Sequence, residues 1–469
     1  MKSYRYQAFA SVIEKNIREG IYKPGHKLPS VRELKEQYNT SVSTIQNGYE
    51  YLIIRGLVES IPKSGYYVSN QFLELKKPEG KRSVPVIRDA VFTSNLALTT
   101  TTGAPRHMIT EFNVAAPGDL MVPQKLLLRT MQQVIRTHGA GLLRYYPANG
   151  SLALRTSIAK RAAGYHTTLI PEELIITDGA LQALYIALAA VCEPGDVIAV
   201  ESPCVFSALE VIRMLKLKVI EIPLDNYNGL DLEELSNACA TTSIKAILVT
   251  PNFQNPTGIL FSDEQKKELL AIAQQFNIAL IENDIYGDLN FSGVRPATIK
   301  SFDESGLVMT YSSYSKTLAA GIRLGWLSAG KFFKEAEQIK FSLGSTVAPV
   351  YQETVHQLLE SGSYDRHVRK FRMQLAKNAY YTLNLLATHF PENTKILTPA
   401  GGYNIWFEMP EEINMDDFYE RCKQIGVRFT PGHTFSFSPA FRQFFRVVFA
   451  DKYSAKRKEA LKLAGQQAK

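Results

Sequence analysis

The segment 312–326, SSYSKTLAAGIRLGW, decides the fold of the larger part of this chain. It follows the apolar run 307–311, LVMTY, and it surrounds Lys316 with hydroxyl side chains, with Arg323 seven residues further on. A lysine amine in such a setting can form a Schiff base, while neighbouring hydroxyl and guanidinium groups bind a phosphate. The segment therefore predicts a Schiff-base lysine beside a phosphate site at the end of a strand.

Four more apolar runs of strand length alternate with helix-length patterns from about residue 111 onward. They are residues 174–177, 197–200, 246–250 and 279–282. A chain that alternates in this way forms an α/β domain with a mostly parallel sheet. Because ligands of such sheets bind at the carboxyl ends of the strands, the residues after each run are the candidates for a site.

Three of the segments that follow these runs carry polar groups. Residues 178–181, DGAL, open a helix whose first N–H groups can hold a phosphate. Residues 251–258, PNFQNPTG, contain turns in which a buried Asn amide can donate to a ligand oxygen. In residues 282–286, ENDIY, Asp284 and Tyr286 share one face if the segment is extended. Taken singly, each segment also has an ordinary structural explanation as a helix start, a loop or a salt bridge.

Together, these segments offer an imine-forming amine, a carboxylate for a pyridine nitrogen, donors for a phenolic oxygen and a phosphate cup. This set of groups matches what a site for pyridoxal 5′-phosphate offers. The order and spacing of the motifs resemble the fold-type I aminotransferases over roughly residues 111–465. The fold expected from the resemblance is an α/β domain with a smaller C-terminal subdomain at about residues 345–469.

The resemblance implies a role for each matching residue, with Lys316, Asp284 and Tyr286 as the catalytic set. Lys316 would carry the cofactor as an internal aldimine, and Asp284 would pair with its pyridine nitrogen. Asn255 and Tyr286 would hydrogen-bond the ring oxygen. Arg446, in the sequence FFRVVFA, would bind the carboxylate of an amino acid, because its geometry suits bidentate contact.

The resemblance also implies phosphate contacts from hydroxyl, guanidinium and backbone N–H groups. These would come from Ser313, Ser315, Arg323, Ala180 and Leu181. Tyr145 would reach the phosphate of the partner subunit, so the resemblance implies a homodimer. At Val205 the chain departs from the pattern, because many relatives carry a Tyr there that stacks on the cofactor ring, and Phe206 is a candidate to replace it.

The positive charge of the chain is concentrated at the N-terminal end. Residues 1–88 hold fifteen Lys and Arg against eight Asp and Glu, which accounts for most of the net charge of +8. A local basic excess beside a nearly neutral body is typical of a module that binds a polyanion. A solvated basic surface is the alternative that charge alone leaves open.

The pattern of residues 4–69 predicts three helices and a hairpin. An apolar stripe from Tyr6 to Ile17 marks the first helix, and Ser30 with Glu33 forms a capping box that opens the second. The third starts at about Ser41, and a hairpin follows around residues 62–65. The parts match a helix-turn-helix with a wing, although a small helical docking module remains an alternative.

The segments GIYKPGHKLPSVREL, SVSTIQNGYEYLIIRGLVE and SGYYV resemble the GntR-type winged helix-turn-helix. The resemblance implies that the partner is DNA. Phosphate contacts are expected from Lys27, Arg32 and Lys63, and specificity from the start of the recognition helix. The candidates there are Ser43, Thr44, Gln46 and Asn47. Val42 stands where many members carry Arg, which puts base reading at that position in doubt.

The sequence thus predicts a DNA-binding head at residues 1–69, a basic linker at 70–110 and an aminotransferase-like domain at 111–469. The linker is either a signalling tether or an inert spacer. The longest apolar run, residues 180–192, is too short to cross a bilayer, and the N-terminus has no signal core, so we expect a cytoplasmic protein without a membrane segment. Four cysteines without metal-binding spacing predict reduced thiols and no metal site.

The order of the two domains resembles the MocR subgroup of GntR transcription regulators over essentially the whole chain. This resemblance implies a regulator that senses an amino acid or an amine by aldimine exchange at Lys316. An active aminotransferase with an appended DNA-binding head is the alternative, because both classes share these residues. A scaffold that only retains the fold is a third possibility, which has no need for Lys316, Asp284 and Arg323 together.

Overall fold

The computed structural model describes residues 5–18, 20–54, 57–61, 64–68, 86–90, 110–225, 229–344 and 346–468. The chain forms two compact units, Met1–Arg82 and Ser83–Lys469. We describe each unit by itself.

The first unit contains the three helices and the hairpin that its sequence predicts. Its elements are α1 (Arg5–Arg18), α2 (Val31–Gln37), α3 (Val42–Ile54), β1 (Val58–Ile61) and β2 (Gly65–Val68). The predicted capping box is present, since the Ser30 N–H donates to Glu33 Oε2 at 2.6 Å and the Glu33 N–H donates to Ser30 Oγ at 3.3 Å. Strands β1 and β2 pair antiparallel from Val58↔Val68 to Ile61↔Gly65.

One buried cluster joins all elements of the head. Phe9, Ile45 and Tyr49 are fully buried in it. The Tyr49 ring stacks on the Tyr66 ring with centroids 3.9 Å apart, and its hydroxyl donates to the Pro29 carbonyl. The wing and the loop before α2 are therefore fixed to the recognition helix by one side chain.

The second unit is built on a nine-stranded sheet. The strand order is β3-β7-β6-β9-β10-β11-β12-β5. The ninth strand, β8, pairs antiparallel with the last two residues of β7. The pairs β7–β6, β6–β9, β9–β10 and β10–β11 are parallel, whereas β12 runs antiparallel between β11 and β5. The predicted mostly parallel sheet is confirmed. The strands are β3 (Ile87–Asp89), β5 (Leu174–Thr177), β6 (Val197–Ser202), β7 (Lys218–Asp225), β8 (Gly229–Leu230), β9 (Ile244–Val249), β10 (Ala279–Asn283), β11 (Val308–Ser313) and β12 (Gly325–Ser328).

Helices cover both faces of this sheet, which explains why its strands are continuous apolar runs. On one face, Ile281 packs with residues of α6 (Ala180–Ala189) and α7 (Phe206–Met214). On the other face, Leu280 packs with residues of α8 (Leu232–Thr241) and α9 (Asp263–Gln275). The remaining helices before the C-terminal part are α4 (Gln124–His138), α5 (Leu152–Ala163), α10 (Phe333–Ser342) and α11 (Pro349–Glu360).

A smaller C-terminal part surrounds a second sheet, of order β13-β14-β17-β16. Its core includes Phe112, which follows the short strand β4 and packs against Phe429. Residues just after the predicted linker therefore belong to this C-terminal core. Its elements are β4 (Thr110–Glu111), α12 (Ser363–His389), β13 (Lys395–Ile396), β14 (Asn404–Glu408), α13 (Met415–Gln424), β15 (Val427–Arg428), β16 (Thr430–Pro431), β17 (Phe444–Val448) and α14 (Ala455–Gln466).

The predicted linker at residues 70–110 needs a correction within its length. Strand β3 pairs antiparallel with β7, from Ile87↔Ile220 to Asp89↔Lys218. An irregular connection is therefore the wrong description of residues 87–89. The strand is only three residues long and two of its side chains are exposed, so it leaves no apolar pattern in the sequence. Residues 69–85 and 91–109 lie outside the described residues.

A buried amide network holds the loop after β9 in place. Gln254 Nε2 donates to Glu201 Oε1 at 3.0 Å and to the Pro203 carbonyl at 2.6 Å. Gln254 Oε1 accepts from the N–H of Thr257 at 2.9 Å and from its hydroxyl at 2.7 Å. The Thr250 N–H donates to Glu201 Oε2 at 2.8 Å. One side chain thereby ties the β9 loop to β6.

Replacing Gln254 by Leu should lower the free energy of unfolding of the large unit by at least about 2 kcal/mol. The Glu201 carboxylate would lose a donor while it stays buried. Urea unfolding followed by circular dichroism measures the change. Gln274→Leu, on the exposed face of α9, is the matched control and should change stability by less than about 0.5 kcal/mol. Equal effects of the two changes would contradict this role for the network.

Candidate functional site

The candidate site lies where β9, β10 and β11 end and α6 begins. Lys316 follows β11, and its amine donates to the Ala115 carbonyl. Burial lowers the pKa of Lys316 to about 8, and the positive charges of Arg446 and Arg323 act in the same direction. Lys316 and Arg323, from one motif, and Arg446, 130 residues after Lys316, are therefore close enough for their charges to interact.

The predicted phosphate residues form one polar cluster beside Lys316. Ser313 Oγ donates to the Leu324 carbonyl at 3.0 Å and lies 3.0 Å from Ser315 Oγ. Arg323 has a left-handed backbone with φ of 45°. Its Nη2 donates to the Asp178 carbonyl at 2.9 Å, directly before α6. The cluster therefore places hydroxyl and guanidinium groups at the start of a helix.

Gly179 permits this approach of Arg323 to the helix. Its φ is 80°, and a Cβ at this position would lie 2.9 Å from Arg323 Nη2. The first N–H groups of α6, those of Ala180 and Leu181, belong to the helix turn that has no intrahelical partners. A helix N-terminus and a guanidinium both favour an anion, so this cradle suits a phosphate group.

Arg446 lies fully buried beside two aromatic rings that contact each other. Its guanidinium carbon is 5.7 Å from the Phe206 ring centroid and 5.2 Å from that of Phe435. Nη1 donates to Asn255 Oδ1 at 2.9 Å, and Nη2 donates to Thr430 Oγ1 at 3.0 Å and to the carbonyl of Asn113. Burial lowers the pKa of Arg446 to about 10.

The Nε–H of Arg446 has no hydrogen-bond partner among the described residues, although it is buried. A buried guanidinium with an unused donor favours a carboxylate ligand, because a buried charge is costly without an opposite charge.

Tyr286 belongs to the same group of side chains. Burial raises its pKa, while the charge of Arg446 opposes that rise. Its ring packs against the ring of Tyr403, with centroids 5.4 Å apart. Asn255 and Tyr286, the two residues predicted to hydrogen-bond the ring oxygen of the cofactor, both lie beside Arg446.

Asp284 has different neighbours from Tyr286. Its Oδ1 accepts from Asn252 Nδ2 at 2.9 Å, and its Oδ2 pairs with Arg295. Arg295 also contacts Asp288 Oδ1 at 2.7 Å. The backbone turns at Ile285 and Tyr286, so the expectation that Asp284 and Tyr286 share one face of an extended segment is wrong.

The Asp284–Arg295 pair is part of a buried charge network. Burial alone would raise the pKa of Asp288, but Arg161 and Arg295 hold it well below its ordinary value. Arg295 also lies over the Tyr165 ring, 3.6 Å from its centroid. The salt-bridge explanation considered for Asp284 from the sequence therefore describes its contacts in the structure.

Several contacts of the site could not be found from the motifs. Ala115, Asn113 and Thr430 contact Lys316 or Arg446 although they carry no recognisable signal in the sequence. Phe206, next to Val205, contributes its ring to the Arg446 pocket. Tyr145 is 93 % exposed and lies on the surface of the unit.

In the head, four of the candidate DNA contacts have described side chains, and three of these four are exposed. Lys27, Arg32 and Gln46 are exposed, and Thr44 is half-buried, with its hydroxyl 2.8 Å from Ser41 Oγ. The Lys27 amine lies 5.8 Å from the ring centroid of Tyr67 on the wing. Ser43 and Asn47 belong to α3, but their side chains lie outside the described part of the chain, as does Lys63.

Across the ranges described, none of the helices combines the length and the apolar character needed to span a bilayer. The same residues contain no cluster of three His, Cys, Asp or Glu side chains arranged for a metal ion. All four cysteines are buried free thiols.

Comparison with known proteins gives two family matches. Residues 117–463 match the aminotransferase class I and II family, and residues 5–68 match the gntR family of bacterial regulatory proteins. An uncharacterised HTH-type transcriptional regulator of Escherichia coli (strain K12), YjiR, is 33 % identical over 465 residues, which cover 98 % of both chains. The HTH-type transcriptional regulator NorG of Staphylococcus aureus (strain USA300) is 28 % identical and covers 87 % of this chain and 92 % of its own.

Solved aminotransferases share the fold of the large unit. A kynurenine aminotransferase of Pyrococcus horikoshii, determined in complex with PMP, is 26 % identical with a TM-score of 0.71. The match covers 80 % of this chain and 96 % of that one. A multiple substrate aminotransferase of Thermococcus profundus, at 24 % identity and a TM-score of 0.73, covers 81 % of this chain and 95 % of its own and supports the fold alone.

In the ligand-free protein, the Lys316 amine should become reactive toward acetic anhydride with a midpoint near pH 8, because burial and two guanidinium groups disfavour its charged form. Mass spectrometry of the Lys316 peptide across a pH series measures this midpoint. Arg323→Gln should move it to higher pH, since one positive neighbour is lost. Arg369→Gln, at an exposed position of α12, should leave it unchanged. The same midpoint in the Arg323→Gln protein as in the unchanged protein would refute the electrostatic effect of Arg323 on Lys316.

Proposed function

The chain belongs to the GntR-family regulators of MocR type, in which an aminotransferase class I and II domain follows the DNA-binding head, and we propose that it senses an amino acid or an amine at Lys316. This fold implies pyridoxal 5′-phosphate as the cofactor. When bound, the cofactor supplies an aldehyde carbon that bonds reversibly to amines.

The residues around Lys316 suit this cofactor. Lys316 supplies an amine whose lowered pKa leaves a substantial neutral fraction near neutral pH. Asn255 and Tyr286 would donate to the ring oxygen. The phosphate would be held by the cradle at the start of α6, which consists of Arg323, Ser313, Ser315 and the N–H groups of Ala180 and Leu181. The fit rests on Gly179, where a side chain would fill the cradle.

The observation that carries the proposal is that the Lys316 amine and the buried Arg446 guanidinium donate to carbonyls two residues apart, those of Ala115 and Asn113. An effector with both an amine and a carboxylate can use the two together. Its carboxylate would bind the Arg446 guanidinium, and its amine would compete with the Lys316 amine. The rings of Phe206 and Phe435 exclude water from this guanidinium and so strengthen its contact with an anion.

The head would bind DNA through a basic and polar surface. Lys27 and Arg32, together with Lys63 on the wing, would contact phosphates. The start of α3 would enter the major groove, where Thr44 and Gln46 contact base edges, with Ser43 and Asn47 beside them. The exposure of Arg32 and Gln46 supports this assignment.

We also propose a homodimer, because the large unit exposes aromatic and apolar side chains near α4. Tyr145 is 93 % exposed and Leu143 is 89 % exposed, and Leu128 and Ile135 of α4 are exposed as well. Such side chains on one region favour contact with another protein surface. Tyr145 would then reach the phosphate site of the partner subunit.

Effector binding must favour one of two states of the dimer in order to change DNA binding. Releasing the Lys316 amine and engaging the Arg446 guanidinium are the two local changes that an amino acid makes here. Both occur between the sheet ends and the C-terminal part, since Arg446 lies on β17 and Lys316 follows β11. A shift of the C-terminal part against the nine-stranded sheet is therefore the proposed response.

Selection of genomic fragments by the cofactor-loaded protein, with and without a panel of amino acids and amines, tests the regulator. Specific fragments should be retained at physiological salt, and one amine should change their retention. Lys316→Ala should abolish the response to that amine but leave retention without it largely intact. Lys331→Ala, at an exposed surface position, should respond as the unchanged protein does.

An unchanged response in the Lys316→Ala protein would contradict sensing at this residue. Weak, uniform retention, combined with conversion of an amino acid to its keto acid over many turnovers, would favour the aminotransferase.

Arg32→Ala should weaken binding to all DNA sequences by a similar factor and reduce the salt slope of log K by about one, because one phosphate contact is lost. Gln46→Ala should instead change the relative affinities among sequences. Titrations of labelled fragments at several salt concentrations distinguish these two effects. Arg369→Ala in the large unit is the control and should change neither the affinity nor the slope.

A further inference from the structure

We infer that Asn283, rather than Asp284, faces the pyridine nitrogen of the cofactor and offers it an amide N–H, so that the ring nitrogen stays unprotonated. This inference rests on the proposed cofactor site and adds the electronic state of the cofactor. It corrects the role that the sequence resemblance gave to Asp284.

The alternation of side chains along β10 is the first observation. Successive residues of a strand point to opposite faces of a sheet. Ala279 and Ile281 belong to the buried cluster that includes α6 and α7 residues, whereas Leu280 belongs to the cluster that includes α8 and α9 residues. Asn283 continues the first series, and Asp284 continues the second.

The face of α6 and α7 is also the face of the proposed site. The phosphate cradle forms at the first turn of α6, next to Arg323. Phe206, the first residue of α7, lies against Arg446. Asn283 ends β10 on this face, three residues before Tyr286. The side chain at position 283 is therefore the one that β10 presents toward the cradle.

Asp284, on the opposite face, has no free carboxylate oxygen to offer. Oδ1 is bound by Asn252 Nδ2, and Oδ2 pairs with Arg295, in a position that is 1 % exposed. Arg295 holds Asp288 at the same time. Removing Asp284 from this network would leave the buried Arg295 guanidinium without one of its two carboxylate partners, which is strongly unfavourable.

Asn283 has the opposite pattern of partners. Its Oδ1 accepts from the Ile285 N–H at 3.2 Å, and this contact fixes which end of the amide faces its own backbone. No hydrogen bond joins its Nδ2 to any residue that the structure describes, although the residue is only 8 % exposed. Nδ2 is not among the buried side-chain atoms that lack a partner, so this donor at the end of β10 is accessible to a ligand.

An amide donor and a carboxylate affect a pyridine nitrogen differently. A carboxylate favours the protonated, positively charged ring, which withdraws electrons strongly from the bound amino compound. An N–H donor binds the lone pair of the neutral nitrogen and disfavours its protonation. The ring would still bond to amines at its aldehyde carbon, but it would assist removal of the Cα proton far less.

Nitrogen NMR of the protein loaded with cofactor ¹⁵N-labelled in the ring tests this directly in the unchanged chain. The ring nitrogen should show the chemical shift of an unprotonated pyridine near neutral pH. Asn283→Asp should move the shift toward that of a protonated pyridinium. A pyridinium shift in the unchanged protein would overturn the inference without any reference to a variant.

The control variant keeps the charge network balanced. Asp284→Asn combined with Arg295→Met removes both members of the buried pair, and it should leave the nitrogen shift of the ring unchanged. A changed ¹⁵N chemical shift of the ring in this double variant would indicate that Asp284, and not Asn283, contacts the pyridine nitrogen. Single-turnover conversion of a bound amino acid to its keto acid should also rise at least tenfold in Asn283→Asp, and no rise would count against the inference.

Failure of the proposed function gives a different result. If borohydride reduction attaches no cofactor to the Lys316 peptide, the site itself is wrong, and the ring nitrogen is not observed in the protein. If the cofactor is attached with an unprotonated nitrogen but amines do not change DNA retention, the inference on Asn283 stands and the sensor is refuted.

Discussion

The concentration of positive charge in a buried site is the constraint on which the rest of the large unit depends. Arg446 is fully buried and Lys316, 130 residues earlier, is half-buried, whereas Arg323 is exposed and has the Asp178 carboxylate 3.9 Å from its Nε. Cations in such a low-dielectric setting are costly unless anions or well-placed hydrogen-bond acceptors accompany them. The carbonyls of Ala115, Asn113 and Asp178 supply part of this compensation. A phosphate and a carboxylate, held at the two ends of the site, would supply the rest.

The two faces of β10 separate function from stability. On one face, the Asp284 carboxylate pairs with Arg295, and the Arg295 guanidinium also contacts Asp288 and the Tyr165 ring. Such a buried ion network is sensitive to loss of any member, because removal of one charge leaves the other uncompensated. On the other face, Asn283 keeps an amide donor without a partner among the described residues. Adjacent residues with similar side chains therefore have different contacts, because successive side chains of a strand point to opposite faces of the sheet.

The sequence was sufficient for the alternating architecture, and it named side chains around Lys316 that lie near one another in the structure. The runs at 174–177 and 307–311, and the motif around Lys316, predicted strands and a basic cluster that the structure brings together. The expectation that Asp284 and Tyr286 share one face was wrong because the chain turns at Ile285 and Tyr286. A sequence pattern does not show at which residue an extended segment ends. The contacts of Arg446 with Asn113 and Thr430 join residues that no local pattern relates. Strand β3 was missed because sheet pairing, and not its own composition, makes it a strand.

A sensor and a catalyst place opposite demands on the same cofactor. A catalyst needs the bound amino acid to lose its Cα proton, whereas a sensor needs the bound amino acid to persist long enough to shift a population of states. The size of that shift is limited by the difference in affinity between the states, and conversion of the effector would remove the ligand that creates it. An amide donor at position 283 would leave amine exchange at Lys316 intact and would slow the chemistry that follows. With Arg446 still able to bind a carboxylate, the site would then recognise an amino acid without consuming it, which is the behaviour that a regulator with an intact DNA-binding head requires.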